Sequence, residues 1–92
     1  MKQNPNFLLR QVAGSTVVVP VGPAAKRFPG MMRLNESGQF LWELLQNNKT
    51  EQELVDAMMV RYEVGFQQAT QDVAAFLTRL RSVGALDETE EQ

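Results

Sequence analysis

The apolar positions of this chain change their period once along its length. In the first third they are consecutive or alternate. FLLRQV (residues 7–12) and TVVV (residues 16–19) are short runs rich in β-branched, aromatic and aliphatic side chains. Between them Ala13, Gly14 and Ser15 make a tight turn in which Gly14 supplies a positive φ, so the two runs read as a β-hairpin. Residues 20–29 hold three of the four prolines and read as a loop. Gly30 then releases the chain into MMRL (residues 31–34), a third short strand.

From Asn35 onward the period is helical. Asn35 is an N-cap, Glu36 follows in the first turn, and Phe40, Leu41, Leu44 and Leu45 form an apolar stripe. Trp42 falls about 130° from the centre of that stripe at roughly 100° per residue. It reads as cover for the edge of the third helix, with an aromatic anchor for a partner as the alternative. After the polar break at residues 46–49, Thr50 and Glu53 have capping-box spacing and open a second helix. Its stripe is Leu54, Val55, Met58, Met59 and Tyr62, and Val64 with Gly65 ends it.

The third helix is expected over about residues 66–82. Phe66, Ala69, Val73, Phe76, Leu80 and Val83 recur at alternating steps of three and four, Leu77 widens the stripe, and Gly84 stops the helix. Ala85 and Leu86 pack back. Residues 1–6 read as frayed and residues 87–92 as an acidic, solvated tail, around an ordered core of about 7–86. Strands first and helices afterwards predict an α+β fold in one domain over residues 1–92.

Composition narrows the chemistry. With no cysteine and no histidine, disulfides, thiolate nucleophiles, Cys/His zinc sites and the usual general base near neutral pH are all removed. No carboxylate is paired with a base, an EF-hand spacing or a Gly-rich phosphate loop. No catalytic residue, metal or cofactor is therefore expected. The net charge of −2 lacks the overall basic excess of a non-specific DNA binder. No apolar stretch approaches the roughly 20 residues of a membrane span. The opening MKQNPNFLLRQV does not read as a secretory signal, so a cytoplasmic location is expected.

LNESGQFLWELLQNNKTEQELVDAMMVRYEV, followed by DVAAFLTRLRSVGAL, resembles the PqqD family of small peptide-binding domains, also called RiPP recognition elements. The resemblance spans about residues 7–86. It is carried by Leu34 and Asn35 at the entry to the first helix, by Thr50 at the second, and by Asp72, Val73, Phe76, Leu77 and Leu80 along the third. Asn47, Asn48 and Lys49 stand where the family often has an acidic-Gly pair, and Phe28, Pro29 and Gly30 where dedicated quinone-cofactor proteins commonly carry a Pro-Glu-Gly turn. The resemblance thus points to a PqqD-like protein of pyrroloquinoline quinone biosynthesis or of another RiPP pathway.

The resemblance implies a small winged helix-turn-helix-like domain, a three-stranded antiparallel sheet followed by three α-helices. It implies a non-catalytic peptide chaperone that binds the leader of a ribosomally synthesised precursor peptide. The leader would be presented to a modifying enzyme, often a radical S-adenosylmethionine enzyme, after adding as a strand beside the third strand. On that reading Met31, Met32, Arg33 and Leu34 are the docking strand, and Asp72, Phe76, Leu77, Arg79 and Leu80 are candidate groove residues.

The physics of a strand edge agrees, because unpaired N–H and C=O groups template another strand. Alternation puts Met31 and Arg33 on one face and Met32 and Leu34 on the other. Arg33 is available to pair with an acidic peptide residue, and a proline at Met32 is expected to remove an edge donor. Each residue also has a plainer reading. Met31, Met32, Leu77 and Leu80 suit a core, Asp72 suits the first turns of a helix, and Arg79 suits its last turns. The same edge allows a homodimer. The alternative function is a winged-helix DNA-binding transcriptional regulator. Its recognition surface is weak, since the second helix is acidic and the polar residues of the third are scattered, so nucleic acid is not expected as a partner.

Overall fold

Ala13 and Gly14 both take positive φ, 50° and 81°, and turn the chain back on itself in two residues. Such a turn matches the right-handed twist of the strands it joins. It connects strands that, in this computed structural model describing residues 1–27 and 30–88, are β2 (Phe7–Val12) and β3 (Ser15–Pro20). Their register pairs Val12 with Ser15 and Phe7 with Pro20. β4 (Met32–Leu34) pairs antiparallel with β3, Val18 opposite Met32 and Thr16 opposite Leu34, giving the order β2-β3-β4. The expected three-stranded sheet is present. The proline-rich connection contains one helical turn, α1 (Ala24–Arg27), while Phe28 and Pro29 lie outside the described residues.

Two of the three long helices begin where their side-chain caps predict. Asn35 accepts from the Gly38 amide at the start of α2 (Glu36–Leu44). Thr50 and Glu53 form a complete capping box on α3 (Glu51–Tyr62), with bonds of 3.1 and 2.8 Å. α4 (Phe66–Val83) ends on Gly84 in the left-handed conformation. α3 closes one residue earlier than expected, on Glu63, which takes that conformation without being glycine.

The helices cover one face of the sheet. Phe7, Val18, Met32 and Leu34 meet Leu41, Leu45, Leu54, Val55, Met58, Val73, Phe76, Leu77 and Leu80 in one core. The molecule is only 19 Å thick along its shortest axis, the depth of one sheet and one helical layer.

Four expectations are corrected. Residues 1–6 are not frayed: β1 (Lys2–Gln3) pairs with β5 (Leu86–Asp87), and Met1 is buried. The N-terminal ammonium donates to Asn48 Oδ1 and the Lys49 carbonyl, the Gln3 amide donates to the Leu45 carbonyl, and the Asn4 amide donates to the Ala85 carbonyl. The first two residues of the supposed tail are likewise held, with Asp87 in β5 and Glu88 accepting from Arg81. Residues 89–92 lie outside the described residues.

Trp42, read as cover for the edge of the third helix with a partner anchor as the alternative, is neither at an edge nor on the surface; it is 2% exposed and part of the core. The N-terminal segment supplies the missing cover, and Gln3 Nε2 donates to the Trp42 carbonyl at 2.7 Å. α2 is thereby rotated so that Gly38, Leu41, Trp42 and Leu45 face inward, while Phe40 and Leu44 are half-buried. Phe40 instead meets Tyr62 edge-on at 5.7 Å, with the Arg61 guanidinium over both rings. Finally Phe66, placed by its spacing at the head of the α4 stripe, is exposed, because the core begins only at Ala69.

Candidate functional site

β4 is the last strand of its sheet, so one side of its main chain lacks a strand partner among the described residues. In an antiparallel strand successive residues direct their N–H and C=O to opposite sides. The Arg33 carbonyl accepts from Arg79 Nη2 at 2.9 Å, which marks it as open toward α4. The polar main-chain groups of Met32 and Leu34 then point toward β3, where the two residues pair with Val18 and Thr16. A proline at Met32 would consequently disturb the existing sheet. The donor available to an incoming strand is the Arg33 N–H.

Beside this edge lies a cleft of about 230 Å³ between the start of α2 and one face of α4. Asn35, Ser37 and Gly38 form one wall, and Asp72, Ala75, Phe76 and Arg79 the other. The four α4 residues are spaced i, i+3, i+4, i+7, which aligns them along two turns. Leu41 and Met58 close the floor. Gly38 keeps the cleft open: a Cβ there would lie 3.2 Å from Asn35 Oδ1 and 3.4 Å from the Phe76 ring. Asp72 and Arg79 put opposite charges at the two ends of a trough of mixed polar and apolar lining. Asp72 is exposed and accepts from Gln68 Nε2 at 2.8 Å.

The expected site residues divide into three groups. Asp72, Phe76 and Arg79 come together at the cleft. Met31 and Arg33 are exposed on the sheet face opposite the core, and Met32 and Leu34 are buried on the core side, as alternation required. Leu77 and Leu80 are fully buried and do not line the cleft, because the helix turns that flank wholly into the core. Ala75 was not singled out from the sequence. Its signal was the shared stripe with Asp72 and Arg79, small enough to leave room between them. Among the described residues no buried charged side chain and no cluster of metal-ligating residues occurs, and no helix is long and apolar enough to cross a membrane.

The sequence model of the family described as Coenzyme PQQ synthesis protein D (PqqD) matches residues 15–86. Among solved structures, TbiB1 in complex with the TbiA(beta) leader peptide is similar, with a TM-score of 0.75 and 23% identity over 95% of this chain and 95% of that chain. Lasso peptide synthetase B1 complexed with the leader peptide is also similar, with a TM-score of 0.70 and 20% identity over 91% of this chain and 93% of the other. At these identities the two structures share the fold. No curated protein matches the chain. The family match runs from β3 into β5 and takes in the edge strand and both walls of the cleft, so this protein belongs to the PqqD family.

Proposed function

We propose that the protein is a non-catalytic adaptor that binds the leader of a ribosomally synthesised precursor peptide and presents it to a modifying enzyme in the cytoplasm. The observation that carries this reading is the open edge of β4 alongside the cleft of α4. A leader strand would pair with the Arg33 main chain and drop alternate side chains into the trough between Gly38 and Phe76. Main-chain bonds tolerate varied sequence, while the shape of the trough and the Asp72 carboxylate at its end select side chains. Two proteins of this fold are each seen with a leader peptide, which supports the same occupant here. A radical S-adenosylmethionine enzyme is the proposed recipient in a quinone-cofactor pathway, and another RiPP enzyme elsewhere.

The DNA-binding alternative is set aside. Family membership favours the peptide adaptor, and both arginines of α4 are engaged within the molecule, Arg79 with the Arg33 carbonyl and Arg81 with Glu88 at 2.9 Å.

The test is a titration of isotope-labelled protein with the leader encoded beside its gene. Saturable shifts at Arg33 and along residues 72–79 are expected. Absence of saturation with the leader, together with shifts on α4 induced by duplex DNA that vanish steeply with salt, would overturn the reading.

A further inference from the structure

The sheet has a second face, and that face is apolar. Leu8, Val12, Val17, Val19 and Met31 lie outside the core cluster, on the side turned away from the helices. Met31 is 54% and Val12 42% exposed. An antiparallel sheet with one solvated face ordinarily alternates apolar and polar residues. Here Val17, Val18 and Val19 are consecutive, the pattern of a strand covered on both sides, yet among the described residues the helices lie on only one.

Across the middle of this face Arg10, Val17 and Arg33 stand in register on the three strands. Val17 is buried although it faces away from the core, and the aliphatic stems of the two arginines are the groups placed to cover it. No carboxylate occurs at the outward positions 8, 10, 12, 15, 17, 19, 31 and 33.

We propose that this outward face is the docking surface for the modifying enzyme, which meets it with an apolar patch bearing carboxylates opposite Arg10 and Arg33. The inference rests on the adaptor reading above. A second copy of the chain fits poorly: a two-fold contact would set the same patch against itself and bring four guanidinium groups together with no acid between them. An anionic membrane is also disfavoured, since two arginines fall short of the about four to eight cations of lipid-binding clusters.

The face is continuous with the leader site. A strand added beside β4 would widen it, turning alternate leader side chains outward next to Met31 and Arg33. Three strands about 4.8 Å apart and six residues of about 3.3 Å span roughly 14 by 20 Å, well under the approximately 800 Å² per partner of a stable interface. The bare domain therefore offers a weak contact, and the leader-bound domain a larger one. Leader and enzyme are thus expected to strengthen each other's binding by the same factor.

The experiment measures the affinity of the purified enzyme encoded beside the precursor gene for the full chain, with and without saturating leader, in wild type, Arg10→Glu and Val12→Glu. Both positions lie on β2, two strands from the docking edge. The expected result is tighter enzyme binding with leader, at least about tenfold weakening by either variant, and leader affinity within twofold of wild type. Unchanged enzyme affinity in both variants overturns the docking face while leaving the adaptor reading intact. Failure of wild type to bind the leader overturns the adaptor reading itself. A homodimer abolished by these variants, or binding to phosphatidylserine vesicles abolished by them, would assign the face to that occupant and also overturn the proposal.

Discussion

Arg79 donates its guanidinium N–H to the main-chain carbonyl of Arg33, 2.9 Å away, so the β4 edge of the sheet is already occupied by the protein's own side chain. An incoming strand needs that carbonyl as an acceptor and must displace Arg79. A hydrogen bond from a charged group to an exposed acceptor is worth about 1 kcal/mol or somewhat more. Arg79→Ala is expected to tighten leader binding about two- to fivefold, measured by calorimetric titration. Weaker binding in this variant would show that Arg79 contributes more to the complex than to the free edge.

Ala75 is exposed and stands in the middle of the cleft wall, between Asp72 and Arg79. An indole there fills the trough without entering the core. Ala75→Trp is expected to lower leader affinity more than about tenfold, a loss of at least 1.4 kcal/mol, while the thermal midpoint stays near that of wild type. Wild-type affinity in this variant would remove the cleft from the binding site.

Ala13 sits at φ 50° in the first position of the hairpin turn, where an L-residue other than Asn, Asp or Gly is strained. Ala13→Asn keeps the turn and relieves the strain. A gain of about 0.5–1 kcal/mol in urea unfolding is expected. A loss would mean that the turn is not of the two-residue type.

Removing residues 1–4 strips the strand pairing with β5, the buried Met1 side chain and the bond from Gln3 to the Trp42 carbonyl. Loss of a buried methionine side chain alone costs about 2–5 kcal/mol, a large share of a small domain's stability. The truncated protein is expected to unfold at lower urea and to show red-shifted emission from Trp42. An unchanged spectrum and midpoint would return the N-terminal segment to the frayed state its polarity suggested.

What was legible in the sequence was local. The Asn35 cap, the Thr50 and Glu53 box and the Gly84 stop are each set by residues within a few positions, and all three form as spaced. Burial decided at a distance was not legible. Trp42 is core because Gln3, 39 positions away, brings the N-terminal segment over α2. Leu77 and Leu80 could be placed on α4 from periodicity, but which flank of that helix meets the edge depends on how α4 packs against β4. Asp72, Phe76 and Arg79 reached the cleft from the expected set because they share the stripe with Ala75 that faces the strand edge.

Strand addition at β4 is the central claim, and the Arg33 amide reports it most directly. Its hydrogen-exchange rate should be measured in the free protein and with saturating leader. The account predicts that exchange at Arg33 slows at least about tenfold as the amide gains a strand partner, while amides already paired between β2 and β3 change little. Exchange at Arg33 that stays at its free rate under saturating leader would contradict strand addition and require the peptide to bind elsewhere.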